Sequence, residues 1–176
     1  MPILHRRSIR LPEYDYTQPG YYFLTLVTYH RINRFGVIDS LGMHVNAIGK
    51  MIQNEWQRLP QRFPGVALDA HMVMPNHFHG ILCIADDPVK SGNAQSFEGF
   101  GHPVKASIPT MVRSFKASVT LRSRRITGDP ELIIWQGNYF ERVIRNERGL
   151  LAARLYIEEN PVNWAEDLEN PNRRKA

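Results

Sequence analysis

Residues 66–84 read VALDAHMVMPNHFHGILCI, and the order of the rest of the chain is best read outward from them. From 66 to 74 the run has extended character, Pro75 and Asn76 are a turn signal, and 77–84 (HFHGILCI) is a second apolar run. Two strand-type runs joined by so short a turn predict an antiparallel hairpin. Upstream, 21–29 (YYFLTLVTY) is aromatic and β-branched, is bounded by Pro19 and Gly20, and reads as a strand. Between it and the hairpin, Val45, Ile48, Ile52, Trp56 and Leu59 recur at spacings of three and four, which predicts one amphipathic helix over 43–63. Downstream, 86–106 is rich in Gly, Pro, Ser and Asn and predicts a long, mobile surface loop. Ser107 can then cap a helix whose buried side carries Ile108, Met111, Val112, Phe115 and Val119. Residues 133–144 (IIWQGNYFERVI) read as a strand, and Asn146 as the N-cap of a last helix running to Pro161. Strand, helix, hairpin, helix, strand, helix is the order of an α+β, ferredoxin-like antiparallel sheet with helices on one side and an extra C-terminal helix. That fold hosts many activities and assigns none.

The chain has 176 residues, 43% hydrophobic, 10% aromatic and 22% charged, which excludes a disordered, collagenous or disulfide-scaffold protein and predicts a single domain over 1–176. No run approaches the ~20 apolar residues of a membrane span, and no apolar segment follows Arg6 and Arg7 to act as a signal peptide, so a cytoplasmic protein without a membrane partner is expected. Cys83 is the single cysteine, so neither a disulfide nor a cysteine-based zinc site can be built within the chain. The net charge of +5 points toward a polyanion, and its placement sharpens the point. Lys105, Arg113, Lys116, Arg122, Arg124 and Arg125 fall in a stretch without one Asp or Glu. Arg6, Arg7 and Arg10 form a second cluster on a basic N-terminal arm of about residues 1–18, while acids gather near the C-terminus. A solvated helix face would intersperse opposite charges, so these residues predict a surface that meets phosphate.

Because successive strand side chains alternate faces, His77 and His79 share one face of their strand while Phe78 takes the other. Two imidazoles so placed can meet one metal ion, with a third ligand from elsewhere. Tyr156 and Asn160 are four apart on the last helix and stack on one face of it, which would bring a phenol and an amide oxygen together if that face packs on the histidines. Taken alone, Tyr156 reads as the edge of an amphipathic face and Asn160 as a helix end before Pro161. Tyr139 is the rival phenol but sits in a strand-type run where it packs. His71 could touch phosphate or be an ordinary strand residue, and Trp135, Tyr21 and Tyr22 could stack on bases or fill the core. Cys83 reads as buried and inert.

The combination of Met74, Pro75, Asn76, His77, Phe78 and His79 with Trp135, Gln136, residues 139–146 (YFERVIRN), and then Tyr156, Ile157, Asn160 and Pro161 resembles the HUH transposases with one catalytic tyrosine. With Arg6, Arg7, Ser8, Ile9, Arg10 and Leu11, then Tyr14, Asp15 and Tyr16 before Gly20, it is similar to their REP-associated tyrosine transposase branch, over about residues 5–163. The resemblance implies Tyr156 as the nucleophile on the C-terminal helix, and His77, His79 and Asn160 as ligands of a divalent cation. Insertion-sequence relatives often have glutamine where Asn160 stands, one methylene longer. Imidazole, amide and water suit Mg²⁺ or Mn²⁺, and imidazole also accepts Zn²⁺. The implied activity is that of a nuclease and strand transferase working through a 5′-phosphotyrosine on single-stranded DNA with hairpin-forming repeats, as a monomer or homodimer. Two other readings stand beside it: a catalytically silent DNA-hairpin module, and an RNA-binding ferredoxin-like domain.

Overall fold

The hairpin at 66–84 organises the sheet. In the computed structural model, which describes residues 14–86 and 104–173, β4 (Val66–Val73) pairs antiparallel with β5 (His77–Ile84). β1 (Gly20–Val27) lies along the other edge of β5, and β6 (Phe140–Ile144) closes the antiparallel order β4-β5-β1-β6. This is the α+β, ferredoxin-like sheet that the element order predicts.

Alternation along β1 divides the molecule. Tyr22, Leu24 and Leu26 face a core shared with α1 (Ala47–Gln57) and α3 (Ile108–Thr127), while Phe23 faces the other way. There α4 (Glu147–Glu159) lays Leu150, Ala153 and Ile157, spaced three and four apart, over Phe23, Ile81 and Ile144. The N-termini follow from side chains that satisfy otherwise orphaned amides: Asn46, Ser107 and Asn146 each accept from the backbone N–H three residues on, at 3.0, 3.3 and 2.8 Å. Each such cap is worth about 1 kcal/mol. α3 ends at Gly128, whose φ of 71° suits the left-handed cap.

On the α1/α3 side, Trp56 is 1% exposed and meets Phe78 and Phe115 with ring centroids 4.8 and 5.6 Å away. Burying each such ring contributes roughly 1.5–3 kcal/mol. Gly80 makes room for it, since a Cβ there would fall 2.5 Å from the indole. On the opposite side, Asp69 and Ala70 stand against Ile81 alone, a bulge in β4 that serves α4.

Two expectations need correction. The single helix over 43–63 is three pieces: Gly42–Val45 is a strand, β3, paired with β2 (Gly36–Asp39); α1 starts after the Asn46 cap; and a short α2 (Leu59–Arg62) follows Arg58. Pro60 explains the break, because it lacks an N–H and fits only a first helical turn. The strand over 133–144 shrinks to β6. Trp135 makes an isolated bridge to Thr28, and Gly137 and Asn138 separate it from the ladder. The carbonyls of Gln136 and Gly137 accept instead from Lys116 Nζ. The arm bearing Arg6, Arg7 and Arg10, and most of the predicted 86–106 loop, lie outside the described residues. Among the described residues no helix is long and apolar enough to cross a membrane.

Candidate metal and tyrosine site

His77 and His79 project from β5 toward α4, buried at 0% and 2% exposure, with ring centroids 4.5 Å apart. The tautomer of His77 follows from its neighbours. Asn76 Nδ2 donates to the carbonyls of Arg31 and Glu169 at 3.0 and 2.7 Å, which turns its Oδ1 to accept from His77 Nδ1 at 2.9 Å. With that proton on Nδ1, Nε2 carries the lone pair. His79 Nδ1 is 2.9 Å from Thr25 Oγ1, the residue opposite it on β1. Both Nε2 atoms are buried and meet no hydrogen-bond partner at bonding geometry. Burial pushes the pKa of His77 down, opposed by Asp167, Glu169 and the nearby Asn160 carboxamide. Burial and the charge of His77 push His79 well below the usual imidazole range. Neutral rings whose buried Nε2 atoms lie together and can offer lone pairs are what a cation requires.

Asn160 caps the C-terminus of α4 and is buried. Its Nδ2 donates to Asp167 Oδ2 at 2.8 Å, and its Oδ1 is left buried without a donor at bonding geometry. Asp167 itself is buried, and its other oxygen accepts from the Glu169 amide. One ligand atom from each of His77, His79 and Asp167 lies within 4.8 Å of the others. Sequence reasoning counted Asp167 only among the C-terminal acids; no spacing marks it, because an irregular turn after Pro161 brings it back over β5. The orphaned imidazole nitrogens, a carboxylate and an amide oxygen form a mixed nitrogen and oxygen set that fits a divalent cation. Asn76 and Thr25, which orient the rings, were also missed; Asn76 stood in the quoted motif as a turn residue only.

Tyr156 is half-exposed, its ring 5.2 Å from that of His79 and 5.9 Å from that of Phe23. Burial raises the phenol pKa, as do the charges of Asp167 and Glu169, while Asn160 opposes them. Tyr139 packs against the α1/α3 core, on the other side of the sheet.

The helix expected to meet phosphate is α3, which covers the face away from the imidazoles. Lys105, Arg113 and Arg125 are exposed. Lys116 is drawn in against the Gln136 and Gly137 carbonyls, and burial pushes its amine down to about 8. Arg124 donates to the Leu132 carbonyl, and Arg122 pairs at 2.9 Å with Glu55. Glu55 is buried and also pairs with Arg58 and Arg62, so the acid missing from the α3 sequence comes from α1. His71 lies beside Trp56 and Phe78, and burial lowers its pKa. Tyr22 and Trp135 are core. Tyr21 sits opposite Cys83, which is partly exposed rather than buried as expected.

No protein-family model matches the chain. A protein of Haemophilus influenzae named only as uncharacterized is 36% identical over 170 residues, which is 94% of this chain and 93% of that one. A REP-associated tyrosine transposase solved on a REP hairpin superposes with a TM-score of 0.56 at 20% identity, over 85% of this chain and 70% of the other. A putative transposase of Deinococcus radiodurans gives 0.50 at 17% identity, over 81% and 91%. The chain therefore belongs to one family with the Haemophilus influenzae protein, and its fold is REP-associated tyrosine transposase-like.

Proposed function

We propose that the chain is a metal-dependent nuclease and strand transferase acting on single-stranded DNA at hairpin-forming repeats, with Tyr156 as nucleophile. The observation that carries this reading is the convergence of two buried, partnerless imidazole Nε2 atoms with Asp167 and Asn160 beside an accessible phenol. The likeness of fold to a transposase that binds a REP hairpin supports the substrate class.

A divalent cation, Mg²⁺ or Mn²⁺, held by His77, His79 and Asp167 with Asn160 would polarise the scissile phosphate and offset the negative charge that develops on it. Everything else falls to the chain. Thr25 and Asn76 hold the rings with Nε2 inward. α4 fixes Tyr156 through Ala153 and Ile157, which bury the adjoining stripe. Tyr156 Oη attacks phosphorus as the P–O3′ bond breaks, its proton passes to solvent, and the departing 3′ oxygen takes one up. The products are a 5′-phosphotyrosine diester and a free 3′-hydroxyl. A DNA 3′-hydroxyl reverses the step and joins strands, because the diester is conserved in the link. Arg6, Arg7, Arg10, Lys105, Arg113, Lys116, Arg122, Arg124 and Arg125 are proposed to neutralise phosphates of the flanking DNA, the exposed members foremost.

The test is a denaturing gel of protein incubated with Mn²⁺ and a labelled hairpin carrying single-stranded flanks. A covalent adduct is expected for the native chain and none for Tyr156→Phe. An adduct that persists in Tyr156→Phe and vanishes in Tyr139→Phe would move the nucleophile, and no adduct from any hairpin tested would favour a silent binding module.

A further inference from the structure

β6 is an edge strand, and the side chains it turns toward α4 are Phe140, Arg142 and the buried Ile144. Phe140 stands opposite Thr25, which stands opposite His79, so the three form one row across the sheet. Two strand spacings, about 10 Å, separate the Phe140 backbone from that of the histidine. Phe140 is 48% exposed and Tyr156 49%, and the buried Phe23 lies between them with ring centroids 6.4 and 5.9 Å away, both edge-on. The Arg142 guanidinium sits 5.8 Å over the Phe23 ring. Arg145 and Arg148 continue outward from Arg142 into the start of α4, exposed, and none of the three forms an ion pair among the described residues.

We infer that Phe140 and Arg142 form a positioning site for single-stranded DNA entering the tyrosine site, in which Phe140 stacks an unpaired base and Arg142 takes a phosphate. The inference rests on the reading above and adds to it a surface that positions the single-stranded flank. Three features favour this occupant. The half-exposed ring offers a π-face, and base stacking on such a face is tolerant of sequence. The three guanidinium groups complement a polyanion and would repel a basic partner. The row from His79 to Phe140 makes the surface continuous with the place where a phosphate would react, so a bound base is registered relative to it. The α3 cations cannot do this from the other face of the sheet.

The experiment is equilibrium binding by the full chain in chelator, so that no chemistry intervenes, using a hairpin whose single-stranded flanks carry 2-aminopurine at one position at a time, and a blunt hairpin as control. For the native chain one flank position is expected to show strong quenching. Phe140→Leu keeps the apolar contact with Phe23 but removes the aromatic face; it should abolish quenching at that position and weaken flanked-hairpin binding roughly 10-fold, the scale of one lost base–aromatic stack. Its affinity for the blunt hairpin should not change. Arg142→Gln should weaken binding and reduce the salt slope by about 0.7, the value for one phosphate on a single strand. The inference fails if the native chain binds and cleaves DNA but Phe140→Leu leaves quenching and affinity intact. It also fails if Phe140→Leu weakens blunt and flanked hairpins equally, or if it acts by changing oligomeric state in sedimentation. If the native chain binds neither DNA, the proposed function falls and takes this inference with it.

Discussion

The two faces of the sheet are built on opposite terms. Among the described residues, twenty buried apolar side chains join the sheet to α1 and α3 on one face, and only six join it to α4 on the other. The shortfall under α4 is filled by His77, His79, Asn160 and Asp167, polar groups that are buried, three of them without all of their hydrogen bonds made. Leaving such groups unsatisfied costs about 1–3 kcal/mol each, so the α1/α3 face with its larger apolar core contributes more of the stability than the α4 face does. β5 serves both at once, since its alternation sends Phe78 and Leu82 into the large core and His77 and His79 into the site.

That division predicts opposite responses to mutation. The largest effect on chemistry should come from His77→Ala or His79→Ala: adduct formation falls to background, and Mn²⁺ no longer raises the melting temperature. Without metal the stability in denaturant should fall by about 1–3 kcal/mol, less than Trp56→Ala lowers it, because each truncation orphans the Asn76 or Thr25 oxygen that holds the ring. Chelator applied to the native chain should reproduce the loss of chemistry and leave most of the hairpin affinity. On the other face, Trp56→Ala should destabilise by about 3–5 kcal/mol in denaturant titrations. Gly80→Ala tests the boundary between the faces, since its new methyl must displace the Trp56 ring while the preceding residue on the strand, His79, points into the site. About 1–3 kcal/mol of overpacking is expected, with the metal affinity unchanged. If Trp56→Ala instead abolished the adduct while remaining folded, the separation of roles would be wrong.

Smaller effects are expected at the residues that aim the rings. Thr25→Val or Asn76→Ala should lower metal affinity about 10- to 100-fold, read by titration calorimetry with Mn²⁺, without removing a ligand. Asp167→Asn keeps the shape and the contact with Asn160 but removes the charge, and should weaken the metal more than Asn160→Ala does if the carboxylate is the third ligand.

The apolar face was the legible one. Its periodicities are local: three-and-four spacing in α1 and α3, period two in β1 and β5, and Ser107 at the α3 cap. Apart from the local break at Pro60, what escaped was non-local. Pro60 and the β2–β3 pair divide a stretch whose apolar spacing still looks helical, and Trp135 is buried by a single bridge rather than a ladder. In the site, His77 and His79 are visible because one strand carries both, and Tyr156 and Asn160 because one helix does. Asp167 reaches them only through the turn after Pro161, and Glu55 neutralises Arg122 from a different helix, so neither leaves a mark in spacing.

The smallest effect tests what holds the sparse face closed. Arg154 on α4 grips Asp69 in the β4 bulge through two hydrogen bonds, Nε to Oδ1 at 2.8 Å and Nη2 to Oδ2 at 2.6 Å. The Arg154 hydrogen bond holds the Asp69 carboxyl below its ordinary value, with the Ala70 amide assisting and partial burial opposing. A carboxyl depressed in the fold contributes stability that is fully present above its unfolded pKa, near 3.9, and is lost as pH falls through the lower folded value. The contact should therefore be indifferent to pH from about 6 to 9 by the same relation and weaken below about 4. Both groups are partly solvated, so salt should erode it too. Asp69→Asn removes the titrating charge, and its stability deficit against the native chain should shrink toward zero in acid and in high salt. Hydrogen exchange of the α4 amides would read the change locally. A deficit that persists unchanged at a pH low enough to protonate Asp69 in the fold would mean that the deficit does not come from the charge, and that the bulge is there for some purpose other than this ion pair.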